Sequence, residues 1–237
     1  MSTLYQSLAI ILPITCAFSF LLMMIILAKG ELCAGQRSRL SQQFSTLWSL
    51  SSLGLVSAIT AHKTAVIAVV ILALSVLLGW CLSIKQLRLA GKRAISLKLW
   101  WLSGAPLLIS ALIIVATHLF SAFAALLSAL ALTHWLMVKA NHRLKVFDKL
   151  LPLAGVGILA LMVCIYALQI WQYGHQPLLA QLTRTFIHMV GFALAGLLIW
   201  LLPALRNMEP TAGQLGATSL SLIIAGISVT ELQFLLH

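Results

Sequence analysis

Residues 29–63 read KGELCAGQRSRLSQQFSTLWSLSSLGLVSAITAHK, and the order of residue types in this stretch predicts the fold of the chain. A polar arm with two arginines (residues 34–43) precedes an apolar run (residues 44–61) that ends at His62 and Lys63. The run falls within the roughly 17–25 residues that a membrane-spanning helix needs. We therefore expect a helix that begins in a basic loop and carries an imidazole and an ammonium to the opposite membrane face.

The composition extends this pattern to the whole chain. Of 237 residues, 62% are hydrophobic and only 8% are charged, whereas about 25% of residues are charged in soluble domains. The net charge of +11 would suggest nucleic-acid binding in a soluble protein, but here the charges lie in short loops between apolar runs. The composition predicts a polytopic membrane protein that contacts membrane lipid and no nucleic acid.

The apolar runs predict an all-α bundle of eight transmembrane helices that forms a single transmembrane domain over residues 1–237. Two longer apolar regions, residues 44–84 and 97–138, each hold two spans joined by a tight turn. The predicted spans are about 7–28, 45–62, 64–84, 97–118, 121–138, 148–171, 185–204 and 216–236.

Lysine and arginine are distributed very unequally between the two sets of loops. Thirteen lie in or beside loops one, three, five and seven, and two lie on the other side: Lys29, Arg37, Arg39, Lys85, Arg88, Lys92, Arg93, Lys98, Lys139, Arg143, Lys145, Lys149 and Arg206, against Lys63 and Arg184. Cytoplasmic loops of membrane proteins carry this excess. We expect basic loops in the cytoplasm, both termini in the periplasm, and a bacterial inner (cytoplasmic) membrane location.

Ionisable residues in or near the spans are the candidates for function. They are His62, Lys63, His118, His134, His175, Arg184, His188 and Glu231. All except His134 map to the outer half of the predicted bundle. The imidazole of His62 could accept a proton from a quinol near neutral pH, or it could simply end a helix at the membrane interface.

Two alternatives remain open from the residues alone. His118 and His188, near the outer ends of the fourth and seventh spans, could ligate a b-type haem; His134 has no expected partner at its depth, so a second haem is not predicted. A membrane transport or binding protein without redox partners is the other alternative, although the sequence lacks the broken helices typical of transporters. No CxxCH motif for covalent haem and no metal-binding cluster occurs in the sequence.

Two groups of motifs resemble a known family. The first is Lys29-Gly30-Glu31-Leu32, followed by Leu47-Trp48 and His62; the second is residues 198–205, LIWLLPAL, in the seventh span. In their order and spacing they resemble the membrane-anchor subunit of dimethyl sulfoxide reductase, which also has eight spans and both termini outside. The family places a carboxylate near the start of its third helix, whereas this chain has no acid between Glu31 and Asp148.

The resemblance implies a function in anaerobic respiration. A subunit of this kind binds and oxidises menaquinol and carries no haem or covalent cofactor. It passes electrons to an iron–sulfur subunit with four clusters, and from there to a molybdopterin catalytic subunit. The resemblance assigns the quinol site to His62, and we expect Lys63 or Arg184 to stabilise the developing negative charge. The anchor itself would be non-catalytic towards the terminal electron acceptor.

Overall fold

The computed structural model describes residues 2–61, 65–89, 94–141, 147–172, 179–206 and 208–236. Within these ranges every regular element is an α-helix. The helices are α1 (Ser2–Lys29), α2 (Ala34–Gln42), α3 (Phe44–Ala61), α4 (Val66–Arg88), α5 (Leu97–Thr117), α6 (Ser121–Lys139), α7 (Phe147–Gln172), α8 (Leu179–Leu205) and α9 (Ala212–Leu236).

Among the described residues, eight segments are long and apolar enough to cross a membrane, which confirms the predicted all-α, eight-span class. The polar arm contributes a feature that the sequence did not suggest, because it forms the short helix α2. Its start is stabilised by the side-chain oxygen of Gln36, which accepts a hydrogen bond from the backbone N–H of Cys33 at 3.1 Å. Leu40 is buried, so this helix rests on the bundle.

Several helices extend beyond the apolar runs that predicted them. α8 begins at Leu179, whereas its predicted span begins at residue 185, and α9 begins at Ala212 rather than 216. The added turns of α8 include polar residues, and the hydroxyl of Thr183 donates a side-chain hydrogen bond to the carbonyl of Leu179 at 2.8 Å.

The bundle is organised around α1 and α6. α1 packs against α3, α5, α6 and α9, and α6 packs in addition against α7 and α9. α4, α7 and α8 are peripheral and expose large apolar side chains, such as Leu77, Leu153 and Leu198. Exposed leucines are stable in this position because lipid tails are as apolar as the side chains themselves.

Consecutive long helices run in opposite directions. Thr3 near the start of α1 and Glu231 near the end of α9 line one cavity. The start of the first helix and the end of the last helix therefore lie at the same face of the bundle. We call the face at which α1, α4, α6 and α8 end the basic face, since Lys29, Arg88 and Lys139 are there. The other is called the opposite face.

Serine side chains connect neighbouring helices through hydrogen bonds to backbone carbonyls. Ser75 and Ser110 of α4 and α5 donate across that interface at 2.7 and 2.9 Å, to the carbonyls of Ser103 and Ala68. Ser19 on α1 donates to a carbonyl of α6 at 3.2 Å. Such bonds stabilise helix pairs in lipid, where burial of apolar surface between helices gains little.

Small residues spaced four apart in the sequence, as in Ala124 with Ser128 and Gly191 with Ala195, predict close helix packing in lipid. Ala124 and Ser128 of α6 are buried at the centre of the bundle, as predicted. The second pair, Gly191 and Ala195, is exposed on α8, so that prediction was wrong. The rotation of α8 instead turns Gly196 towards Leu222 of α9.

Candidate functional site

Two neighbouring cavities lie at the opposite face, and Thr117 and His118 line both. The first has a volume of about 270 Å³ and the second about 440 Å³. The described residues lining the first are Gln6, Ile10, Ala65, Ile113, Ile114, Thr117 and His118. Those lining the second are Ala116, Thr117, His118, Leu119, Phe120, Gln233 and Phe234.

The first cavity combines apolar walls with a few polar groups. Its isoleucines come from α1 and α5, while Gln6, Thr117 and His118 provide a carboxamide, a hydroxyl and an imidazole. His118 follows α5 directly, is half-buried, and has the ring of Phe234 edge-on at a centroid distance of 6.0 Å. Cavities of this composition suit a flat apolar ring with polar substituents, because the polar groups can orient it.

The residues predicted for quinol binding are not among the described residues that line these two cavities. His62 and Lys63 lie outside the described residues; the sequence places them just before Ala65, which lines the first cavity. Arg184 is exposed on α8. None of the described residues lining either cavity comes from α8, so Arg184 is not part of these walls.

The two histidines considered as haem ligands occupy different surroundings. His118 lies between α5 and α9, whereas His188 is exposed on α8. Bis-histidine ligation requires both imidazoles to approach one iron from opposite sides. Among the described residues, the cavities at His118 have no wall from α8.

Glu231 and His175 are two further candidates that the sequence assigns to the outer half of the bundle. Glu231 lines a separate cavity of about 240 Å³, together with Thr3, Gln181 and Thr185. Hydroxyl and amide groups surround this carboxylate, which is half-buried. His175 lies outside the described residues.

The basic face contains a hydrogen-bonded chain that the sequence did not predict. The indole N–H of Trp200 on α8 donates to Nδ1 of His134 on α6 at 2.9 Å. Nε2 of the same ring lies 2.9 Å from Oδ1 of Asp148 on α7. Because an indole nitrogen can only donate, Nδ1 must accept, and Nε2 therefore carries the proton that Asp148 accepts.

The sequence offered His134 no second histidine at its depth as a haem ligand, and the structure pairs it instead with Asp148 and Trp200. Both His134 and Trp200 are only 1% exposed, and Asp148 is 24% exposed. The contact between His134 and Asp148 could have been inferred from the sequence, because an antiparallel hairpin of α6 and α7 brings the last turns of α6 beside the first turn of α7. Trp200 could not be found in this way, since it is 66 residues from His134 in sequence.

A cavity of about 210 Å³ adjoins this chain at the basic face. It lies between the ends of α6 and α8, the start of α7 and the connection to α9. The described residues that line it are His134, Asp148, Lys149, Trp200, Pro203, Ala204, Met208, Glu209 and Pro210. Two of the four acidic residues in the chain, Asp148 and Glu209, are among them.

Comparison with known proteins identifies a family for this chain. A family model described as an integral membrane domain matches residues 4–227, which is nearly the whole chain. No curated protein and no solved structure matches significantly. The family match agrees with the eight apolar helices of the structure.

Proposed function

Because this chain belongs to the integral membrane domain family that matches residues 4–227, we propose that it acts within the membrane as the anchor subunit of a molybdopterin oxidoreductase complex. In this proposal it resembles the anchor of dimethyl sulfoxide reductase in function as well as in motifs. It binds menaquinol and oxidises it for anaerobic respiration.

The observation that carries the proposal is the cavity of about 270 Å³ at the opposite face. Ile113 and Ile114 provide apolar contact for a naphthoquinol ring, and His118 provides a hydrogen-bonding group near neutral pH. Gln6 and Thr117 offer further hydrogen-bond partners for a ring hydroxyl. A lipid-soluble quinol would enter this cavity from the surrounding bilayer.

Oxidation of menaquinol to menaquinone releases two electrons and two protons. His118 holds one ring hydroxyl and accepts its proton; the sequence assigns the other hydroxyl to His62, with Lys63 stabilising the developing negative charge. The electrons pass to the nearest cluster of an iron–sulfur subunit docked on the opposite face, and then to a molybdopterin subunit. Both protons leave at this face.

Quinol binding by the isolated subunit tests the proposal. Protein purified in dodecyl maltoside is titrated with menadiol, a soluble naphthoquinol, under anaerobic conditions. We expect saturable binding, weakened roughly tenfold or more in His118→Ala, because a hydrogen bond to a polar ring substituent is lost from a partly buried site. Equal affinity in the variant and the unaltered protein would refute the site.

His188→Ala is the matched control, since it removes an exposed imidazole from α8 and should leave menadiol binding unchanged. The same preparations decide the haem alternative by a reduced-minus-oxidised spectrum. A Soret-region haem signal that is lost in both His118→Ala and His188→Ala would replace the quinol proposal with an electron-transfer haem. Co-purification of iron–sulfur and molybdopterin subunits under mild detergent would separate the anchor from a transport protein without redox partners.

The proposed orientation places the basic face in the cytoplasm. Cys33 is exposed at the start of α2, so we expect a membrane-impermeant maleimide to label it only after bacterial spheroplasts are lysed. A second protein, with Thr3→Cys in a Cys33→Ser background, carries a thiol at the other face and should label in intact spheroplasts. The reverse pattern would invert the topology and place the quinol cavity at the cytoplasmic face.

A further inference from the structure

We propose that Gln233 on α9 binds the oxidised form of the ligand, by donating a hydrogen bond from its carboxamide to a naphthoquinone carbonyl in the second cavity of the opposite face. This inference rests on the proposed function, since it concerns the product of quinol oxidation. It adds a residue that determines which redox form of the ring is held. The observations behind it are the burial of Gln233, its hydrogen bonding, and the walls of the cavity that it lines.

One end of the Gln233 carboxamide is already engaged. The hydroxyl of Ser121, at the start of α6, donates a hydrogen bond to Oε1 of Gln233. Ser121 is fully buried and Gln233 is only 6% exposed, so this contact holds the carboxamide oxygen against α6. The nitrogen end carries two N–H donors, and among the residues that the structure describes nothing accepts a hydrogen bond from it.

The unused donors indicate a ligand group in the cavity. A donor buried without an acceptor is unfavourable, because it has given up its hydrogen bonds to water. Gln233 lines the second cavity, which has a volume of about 440 Å³. Since the carboxamide oxygen is turned towards Ser121, the nitrogen is the end that remains for a ligand. An acceptor oxygen on that ligand would satisfy it.

The walls of this cavity suit an aromatic ring. Phe120 and Phe234 contribute phenyl rings, which pack against other aromatic rings offset or edge to face. The volume of about 440 Å³ lies within the roughly 300–1,000 Å³ of small-molecule sites. His118 lines both cavities, so a ring held at Gln233 lies beside the imidazole that is proposed to accept the quinol proton.

A group that can only donate distinguishes the two redox forms of the ring. A quinone carbonyl oxygen only accepts hydrogen bonds, whereas a quinol hydroxyl carries a proton that needs an acceptor of its own. The carboxamide nitrogen of Gln233 therefore pairs with the carbonyl and offers nothing to the hydroxyl proton. Tighter binding of the oxidised form lowers the reduction potential of the bound pair, so Gln233 also makes the bound quinol a stronger electron donor.

Affinities for the two redox forms test the proposal. The full chain in dodecyl maltoside is dialysed against tritiated dimethylnaphthoquinone or, under anaerobic conditions with excess dithionite, against its quinol; protein-free micelles give the background. The methyl groups block both open carbons of the quinone ring, so it cannot add to the exposed thiols of Cys33, Cys81 and Cys164. Gln233→Met, which has a similar length but no N–H, should lower quinone affinity roughly tenfold and quinol affinity by less than about twofold.

A second variant and a matched control accompany this measurement. Ser121→Ala removes the hydroxyl that holds the carboxamide oxygen and should lower quinone affinity by about threefold, again with little change for the quinol. This variant decides the result if Gln233→Met does not fold. Gln181→Met makes the same change at an exposed glutamine of α8, which lines a separate cavity at the same face. Neither affinity should change in this control.

The ratio of quinone to quinol affinity is the deciding quantity. A ratio in Gln233→Met equal to that of the unaltered protein, or the same change of ratio in Gln181→Met, would overturn the proposal. If quinol binding still depends on His118 in that case, the proposed function stands and only the role of Gln233 is refuted. If the unaltered protein binds neither form saturably, both are refuted.

Discussion

Replacing Trp200 by phenylalanine tests how much the chain from α8 through α6 to α7 contributes to stability. The change removes the N–H that donates to Nδ1 of His134 at 2.9 Å, while a ring remains in the space between the helices. Nδ1 of a ring that is 1% exposed then loses this donor, which costs roughly 1–3 kcal/mol. The smaller ring also leaves a gap, which adds about 1 kcal/mol.

We therefore expect the free energy of unfolding to fall by about 2–4 kcal/mol in Trp200→Phe. The assay is a reversible titration with sodium dodecyl sulfate in mixed micelles, followed by far-ultraviolet circular dichroism. Trp171→Phe is the matched control, because Trp171 is 79% exposed at the end of α7. That variant should change the free energy of unfolding by less than about 0.5 kcal/mol.

A double-mutant cycle isolates the hydrogen bond from the packing. In a His134→Phe background the indole N–H has already lost its acceptor, so Trp200→Phe should cost no more than the packing contribution of about 1 kcal/mol. The difference between the two backgrounds should be roughly 1–3 kcal/mol. Additive effects, or a Trp200→Phe variant as stable as Trp171→Phe, would show that the hydrogen-bonded chain does not stabilise the bundle.

Two further predictions concern helix packing. Gly155→Ala should destabilise the bundle by about 1–3 kcal/mol through overpacking, because the added Cβ would lie 2.8 Å from the Trp200 ring. Gly157→Ala, with nothing within 4 Å of its Cβ, should be neutral or slightly stabilising in the same detergent titration. Ser110→Ala should cost about 0.6 kcal/mol, the average for such bonds in membrane bundles, since its hydroxyl bonds to α4 at 2.9 Å. Ser49→Ala, which loses a bond within its own helix, should cost less.

The fold class was predictable because one physical requirement dominates it. Every backbone polar group in the hydrocarbon must be satisfied internally, so each apolar run of sufficient length becomes a helix. The turn between α5 and α6 shows how well this works, since α5 ends at Thr117 and α6 begins at Ser121, close to the predicted division. The helical character of residues 34–42 was missed because α2 is too short and polar for the same requirement to apply.

The candidate sites were less predictable because they depend on how each helix is rotated. His118 was identified by its type and depth, but its position between two cavities depends on how α1, α4 and α9 pack around the end of α5. The exposed position of Gly191 shows the same limit, since a spacing of four predicts a face but not which face is turned inward.

The sequence by itself determined the number of spans, their alternating direction and the unequal charge of the two faces, because hydropathy and loop charge act locally along the chain. Only the tertiary structure decided that His134, Asp148 and Trp200 form one chain. Their contact requires three helices to bring one side chain each to the same point, and the rotation of each helix is set by packing against all its neighbours.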